Sequence, residues 1–278
     1  MALEILPPTP NPFQEASDRT FAGVPALLGI PYGEGHEEAA NVIRQASLGL
    51  DSYSPLVDQD LGETRFTDYG SLVLKDQSRE EAARLVGDAA RAIHGTEAVP
   101  IFIGGDGSLG PAAVRATLDR FPDLHVLQAS ASPLLLDEVS GDKWHPGCAG
   151  ARVLDRLPGD QLLLLGVRRG SRSEFSEMKA DQRIVTRDDL QERVGESGIY
   201  LNLRLDVFDP SLVPAAGSLE PGGWFWQDFE ALISRLPWDQ VRAVEISGLI
   251  PAQDVSAYSS LLAAKAVREI ILSLPRIT

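Results

Sequence analysis

Residues 161–167, QLLLLGV, carry four leucines in succession with no polar residue among them. A strand with one wet face alternates apolar and polar side chains, so an unbroken apolar run needs cover on both faces of its sheet. VPALLGIP (24–31), VPIFIGGDGS (99–108), LHVLQ (124–128), GIYLNLRLDVFD (198–209) and VRAVEISGLI (241–250) read as strands of the same kind. Between them run helical patterns. SREEAARLVGDAARAIHG (78–95) repeats apolar residues at three and four, from Ala82 through Leu85, Val86, Ala89 and Ala90 to Ile93. Ser78 with Glu81 predicts a capping box at its start, and Gly95 a stop. SAYSSLLAAKAVREIILSL (256–274) predicts a second long amphipathic helix. Buried strands alternating with helices predict an α/β three-layer α-β-α sandwich around a mainly parallel sheet of seven or eight strands. Residues 1–20, rich in proline, read as an irregular N-terminal arm. Residues 21–278 read as a single α/β domain without internal repeats.

Composition removes several classes of function. Lys plus Arg is 25 against 40 for Asp plus Glu, a formal charge of −15 over 278 residues. That balance, with no basic run, argues against nucleic acid and anionic membranes as partners. The single cysteine, Cys148, excludes an intrachain disulfide and a cysteine-based zinc cluster. No apolar run reaches the length of a membrane span, and the N-terminus lacks a signal-peptide pattern. The reading is a cytoplasmic protein.

Chemistry in such folds gathers at the carboxyl ends of the strands. IGGDGSLG (103–110) lacks the Lys-Ser/Thr of a phosphate loop, and Asp106 there reads as an acceptor for backbone N–H groups. In an extended strand Arg204, Asp206 and Phe208 share one face. A buried charge is costly unless paired, so Arg204 and Asp206 are expected to pair or to face a cavity. Glu245, inside an apolar strand, needs donors, expected from Arg168, Arg169 or Arg204. Among the histidines, His36 reads as solvated, His94 as a charged group at a helix C-terminus, and His125 as partly buried. His145, in GDKWHPG, is the candidate for catalysis, and Cys148 nearby lacks an evident supporting acid. Trp224, Phe225 and Trp226 read as core or interface residues. The turn QASAS (128–132) offers no carboxylate, imidazole or thiol to a metal.

Taken in order, these segments resemble the arginase/agmatinase family of ureohydrolases. GIPYGEG with ANVIR, IFIGGDGS, HVLQASAS, KWHPG, LNLRLDVFDPSLVPA, EPGGW, GLIPAQD and AAKAV each stand where that family has a characteristic turn or helix. The resemblance implies an arginase-like fold, assembly as trimers or hexamers, and two manganese ions held by six residues. Those six positions fall on Gly107, Gln128, Ser130, Ser132, Arg204 and Asp206, so only Asp206 retains a ligand side chain. The family's substrate-binding glutamate falls on Gly248. His145 resembles its proton-shuttling histidine, although Pro146 interrupts that match. Asp106, Asp209 and Asp254 are kept. The expectation is a ureohydrolase-fold protein without a dinuclear-manganese site and with no cofactor, acting by binding a small molecule, by pairing with an active subunit, or as a homo-oligomer. The alternative is a hydrolase of guanidino or other C–N substrates, of arginase, agmatinase or formimidoylglutamase type, working through an altered site.

Overall fold

The computed structural model describes residues 4–6 and 24–275. Its centre is an eight-stranded sheet. In chain order the strands of the molecule are β1 (Ile5–Leu6), β2 (Ala26–Gly29), β3 (Tyr53–Ser54), β4 (Gln59–Asp60), β5 (Thr67–Leu72), β6 (Pro100–Ile103), β7 (Leu124–Ala129), β8 (Leu162–Leu165), β9 (Gly198–Arg204) and β10 (Val241–Ser247). The sheet runs β1-β5-β2-β6-β10-β9-β7-β8, while β3 and β4 form a separate two-stranded ribbon. Within the sheet every neighbouring pair is parallel except β1 on β5. Ile5 and Leu6, inside the segment expected to be irregular, therefore close the sheet edge. The remainder of that 1–20 arm lies outside the described residues.

Eight helices are described: α1 (Ala39–Ala46), α2 (Arg79–His94), α3 (Gly110–Arg120), α4 (Ala149–Leu154), α5 (Arg172–Ala180), α6 (Leu190–Val194), α7 (Trp226–Arg235) and α8 (Tyr258–Ser273). They divide between the two faces. Leu127, Leu201, Leu203, Val244 and Ile246 pack with α1, α6, α7 and α8. Phe102, Val126, Tyr200 and Ala243 pack with α2 and α3, joined by Val153 of α4 and Met178 of α5. The result is a three-layer sandwich, as the unbroken apolar runs require. Among the described residues no helix is long and apolar enough to cross a membrane.

Local chemistry explains the element ends, with differences from the sequence reading. Ser78 Oγ accepts the Glu81 N–H at 3.2 Å, but the Glu81 carboxylate pairs with Arg84 instead of reaching back. Gly95 ends α2 with φ −64°, a conformation open to any residue, so its lack of a side chain is not what stops the helix. Ile184 forms an isolated parallel bridge to Leu164, outside the named strands. β9 ends at Arg204 in a 3₁₀ turn, Leu205–Val207. Phe208 is thereby turned away from Arg204 into the core with Trp224 and Phe229, correcting the expected shared face.

One polar cluster is fully enclosed. Arg44 of α1 donates from Nε and Nη2 to the two Asp68 oxygens at 2.9 and 2.8 Å, and further to Gly70 C=O and Ser71 Oγ. Both charged side chains have no exposed surface. Breaking a buried ion pair on one side is far more damaging than replacing both members by apolar groups. Asp68→Ala is expected to lower stability by about 3–5 kcal/mol in urea unfolding. The double variant Arg44→Met/Asp68→Leu is expected to lose less than the single one; equal or larger loss would show that the pair is net stabilising.

Candidate functional site

The strand ends meet along the carboxyl edge of the sheet. Gln128 lies beside Asn202, Glu245 also beside Asn202, and Ser247 beside Arg204 in register. These residues and Tyr200 point to the α2/α3 face, so a band of polar side chains crosses an otherwise apolar sheet. The turn after β6 caps the band. Gly104, Gly105 and Gly107 all take positive φ, at +89°, +74° and +83°, which favours residues without a Cβ. Asp106 Oδ1 accepts Ser108 N–H at 2.8 Å and Ser108 Oγ–H at 2.6 Å, the turn-fixing role its sequence context suggests.

Arg204 occupies the centre. Its side chain is buried, with Nη1 donating to Asp106 C=O at 3.0 Å and Nε lying 3.4 Å from Asp206 Oδ2. The other Asp206 oxygen accepts the Ala131 N–H at 3.0 Å. A Cβ placed on Gly107 would run into Arg204 Nη1, and one on Gly248 would stand 4.0 Å from Nη2. The guanidinium thus fills the space into which a side chain at 107 would project. Arg168 braces the turn from behind, donating to the carbonyls of Asp206, Val207, Phe208 and Glu220. Burial pushes its pKa down, against the opposing charges of Asp206, Asp209 and Glu220.

Gln128 and its neighbours close on themselves. Gln128 Nε2 donates to Ser130 Oγ and Pro133 C=O, both at 3.1 Å, and Ser130 Oγ donates to Ser132 C=O. The Gln128 amide and the Ser130 hydroxyl therefore direct their donors into the turn itself, onto Ser130 Oγ and the backbone carbonyls of Ser132 and Pro133.

Glu245 departs from expectation. Its donor is Tyr200 of the next strand, whose hydroxyl lies 3.1 Å from Oε2, and no arginine forms a hydrogen bond to it. Its carboxylate packs against the Cα of Gly110, where a Cβ would collide with it. Desolvation raises its pKa from the ordinary 4.5 to about 7, against the opposing pull of the Arg204 charge. The same burial and the Glu245 charge push Tyr200 well above its usual value.

Over this edge lies a cavity of 690 Å³, lined by Asp106, Arg204, Asp206, Arg169, Glu174, His36 and His145 among others. His36, expected in solvent, is 8% exposed, because its Nδ1–H donates to Leu249 C=O at 2.7 Å. A carbonyl can only accept, so Nδ1 carries the proton and Nε2 is the acceptor in the neutral ring. His145 has the reverse tautomer when neutral, since its Nδ1 accepts Gly147 N–H at 3.0 Å. The two rings bring opposite hydrogen-bonding character to one cavity. Neither His36 nor the Tyr200–Glu245 pair was identified from sequence; the signal would have been a polar group between apolar neighbours, which the sequence shows for Tyr200 and Glu245 but not for His36.

Other candidates fall elsewhere. Cys148 is buried, burial raises its thiol pKa, and its Sγ lies 3.8 Å from Asp142 C=O, with no hydrogen bond to the His145 ring among the described residues. His94 is buried against Phe121 with Nε2 3.1 Å from Thr117 Oγ1, and desolvation lowers it to about 4; it is a neutral core ring, not a charged helix terminus. His125 is partly buried as read. Trp224 is core, Trp226 half-buried under Lys265, and Phe225 51% exposed. Asp209 accepts the Ser211 hydroxyl and the N–H groups of Ser211, Gly222 and Gly223, which lower its pKa to about 2, and Asp254 accepts the N–H groups of Ser259 and Ser260 at the start of α8.

The residues present do not fit a pair of manganese ions. Such a site needs several carboxylates and imidazoles to neutralise two dications. Here a glycine, an amide, two hydroxyls and a cation stand with one carboxylate, and the cation fills the space. Among the described residues no group of three or more His, Cys, Asp or Glu side chains could hold a metal ion.

An acid whose pKa rises on folding binds its proton more tightly in the folded chain, so Glu245 makes stability fall as pH climbs from 4.5 to about 7. Glu245→Gln is expected to flatten that decline and to be more stable than the parent at pH 8 by roughly 1–3 kcal/mol in urea titrations. A less stable variant at pH 8 would mean that ionised Glu245 serves Arg204 as a needed counter-ion. Separately, Arg204→Ala strands Asp206 and should cost ~3 kcal/mol. Gly107→Ala should also destabilise, but less so in the Arg204→Ala background, with coupling on the order of 1 kcal/mol. Strict additivity would place the Arg204 guanidinium away from residue 107.

Comparison with known proteins gives this site its context. Residues 17–273 match the model of the Arginase family. The chain is 30% identical over 230 residues to the agmatinase of Pyrococcus horikoshii, covering 74% of this chain and 76% of that one. It is 22% identical over 271 residues to the agmatinase of Bacillus subtilis, covering 94% and 93%. The crystal structure of the agmatine ureohydrolase of Thermoplasma volcanium superposes with a TM-score of 0.80 at 26% identity, covering 91% of this chain and 89% of that one. With nearly its whole length matched in sequence and in fold, the chain belongs to the arginase family.

Proposed function

We propose that this chain is a ureohydrolase-fold protein that does not cleave guanidino groups through a manganese pair and that works by binding. The observation that carries this reading is Arg204, whose guanidinium lies where a side chain at residue 107 would project and is paired with Asp206. A fixed cation in that place repels a dication and fills its volume. Gly107, Gln128, Ser130, Ser132, Arg204 and Asp206 are then the remains of the family's ligand set, and Gly248 of its substrate glutamate. The cavity of 690 Å³ has the size of a small-molecule site. Residues 21–278 act as one cytoplasmic domain, assembled as a homo-oligomer of the trimeric or hexameric kind that the family resemblance implies. The agmatinases among its relatives make agmatine the first guanidino substrate to test. Hydrolysis of a C–N bond through an altered site is the second reading, favoured by the opposed tautomers of His36 and His145 on one cavity. It has less support, because among the described residues neither ring is hydrogen-bonded to a nucleophilic side chain.

Isothermal titration with manganese is expected to show only the weak, unsaturable uptake of an acidic surface, and urea release from agmatine or arginine to match the buffer rate. Two manganese sites with affinities on the order of micromolar would overturn the binding-protein reading. Metal-independent release of urea, abolished in His145→Ala, would select the second.

A further inference from the structure

A second concavity lies far from the carboxyl edge in composition. A groove of 580 Å³ between α2, α3 and the α4 segment is lined by Arg79, Arg84, Arg91, Arg115, Arg152 and Arg156, against only two acids, Glu80 and Asp155. The chain as a whole has 25 basic residues against 40 acidic ones, so six arginines in one groove run against its bulk charge. The floor is made of small residues: Ala83 and Gly87 on α2, Pro111 and Ala112 on α3. Their size leaves room for long side chains to converge above them.

Four of the arginines are partnered. Arg79 holds Asp142 through Nη1 at 2.7 Å, Arg84 holds Glu81 and Asp88, Arg91 holds Asp88 and Asp119, and Arg152 holds Asp137 and Asp155. Of these carboxylates only Asp155 lines the groove. The pairs fix the four guanidinia in place, with every counter-charge but Asp155 outside the lining of the concavity. Arg115 and Arg156, both exposed, have no carboxylate partner among the described residues. Trp144, 44% exposed, lines the same groove.

We propose that this groove binds a small phosphate-bearing anion. Guanidinia arriving from three separate segments suit a phosphate, whose several oxygens accept from different directions, better than a carboxylate, which one guanidinium fork satisfies. Arg115 and Arg156 supply the uncompensated charge, the four partnered arginines the fixed donors, and Trp144 an apolar wall. None of these residues belongs to the cavity over Arg204, so the site stands or falls apart from the reading of that cavity.

The test is isothermal titration of the full chain with pyrophosphate and, at matched ionic strength, with citrate. Expected is one saturable pyrophosphate site, weakened by added salt, with citrate at least tenfold weaker. The double variant Arg115→Ala/Arg156→Ala is expected to weaken pyrophosphate binding tenfold or more without changing the melting temperature, both residues being exposed. Absence of saturable pyrophosphate binding by the parent, citrate bound as tightly, or unchanged affinity in the double variant would each overturn the proposal.

Discussion

A guanidinium cannot lose its charge, so one buried at the edge of a sheet dictates what surrounds it. Arg204 has that position here. Its needs account for the bare Cα of Gly107, the orientation of the Asp106 carbonyl and the retention of Asp206, which together supply space, a dipole and a counter-charge. Glu245 sits one step deeper. The field of Arg204 is the largest influence opposing its desolvation, and with it the pKa still rises to about 7. The edge of the sheet is thus a self-neutralising polar cluster, in which charge that another member of the family would share with metal ions is shared among side chains.

Much of the architecture was readable from the chain. QLLLLGV could only be a doubly covered strand, and the three-and-four spacing of Ala82 to Ile93 could only be one face of a helix; both are found as such. Apolar periodicity is a local signal, and burial on one or two faces follows from it. That the turn at 128–132 carries no carboxylate, imidazole or thiol was equally plain, because it concerns residue types alone. What could not be read depended on register and on turns. Tyr200 as the donor to Glu245 requires knowing that β9 lies beside β10, a pairing of strands distant in sequence order from β6 on the other side. The direction of Phe208 depended on a 3₁₀ turn that breaks the two-residue alternation just where the strand ends. His36 looked solvated because its neighbours in sequence are polar, whereas its burial is decided by Leu249, more than two hundred residues away.

The same distinction applies to agreement with relatives. An identity of 22–30% spread over most of the chain is enough for the fold, since the fold rests on patterns that many sequences satisfy. It is not enough for the chemistry, which rests on a handful of side chains. The TM-score of 0.80 and the absence, among the described residues, of a metal-binding group are therefore compatible findings about two different things.

Asp209 and Asp254 draw out one more consequence. Each accepts two or more backbone N–H groups, one joining the turn after β9 to the segment at 222–223, the other capping the longest apolar helix of its face. They belong to the frame, and a chain released from catalysis would still unravel locally without them. An acid whose oxygens are taken up by backbone N–H groups is a structural part, and its presence says nothing about whether a reaction takes place beside it.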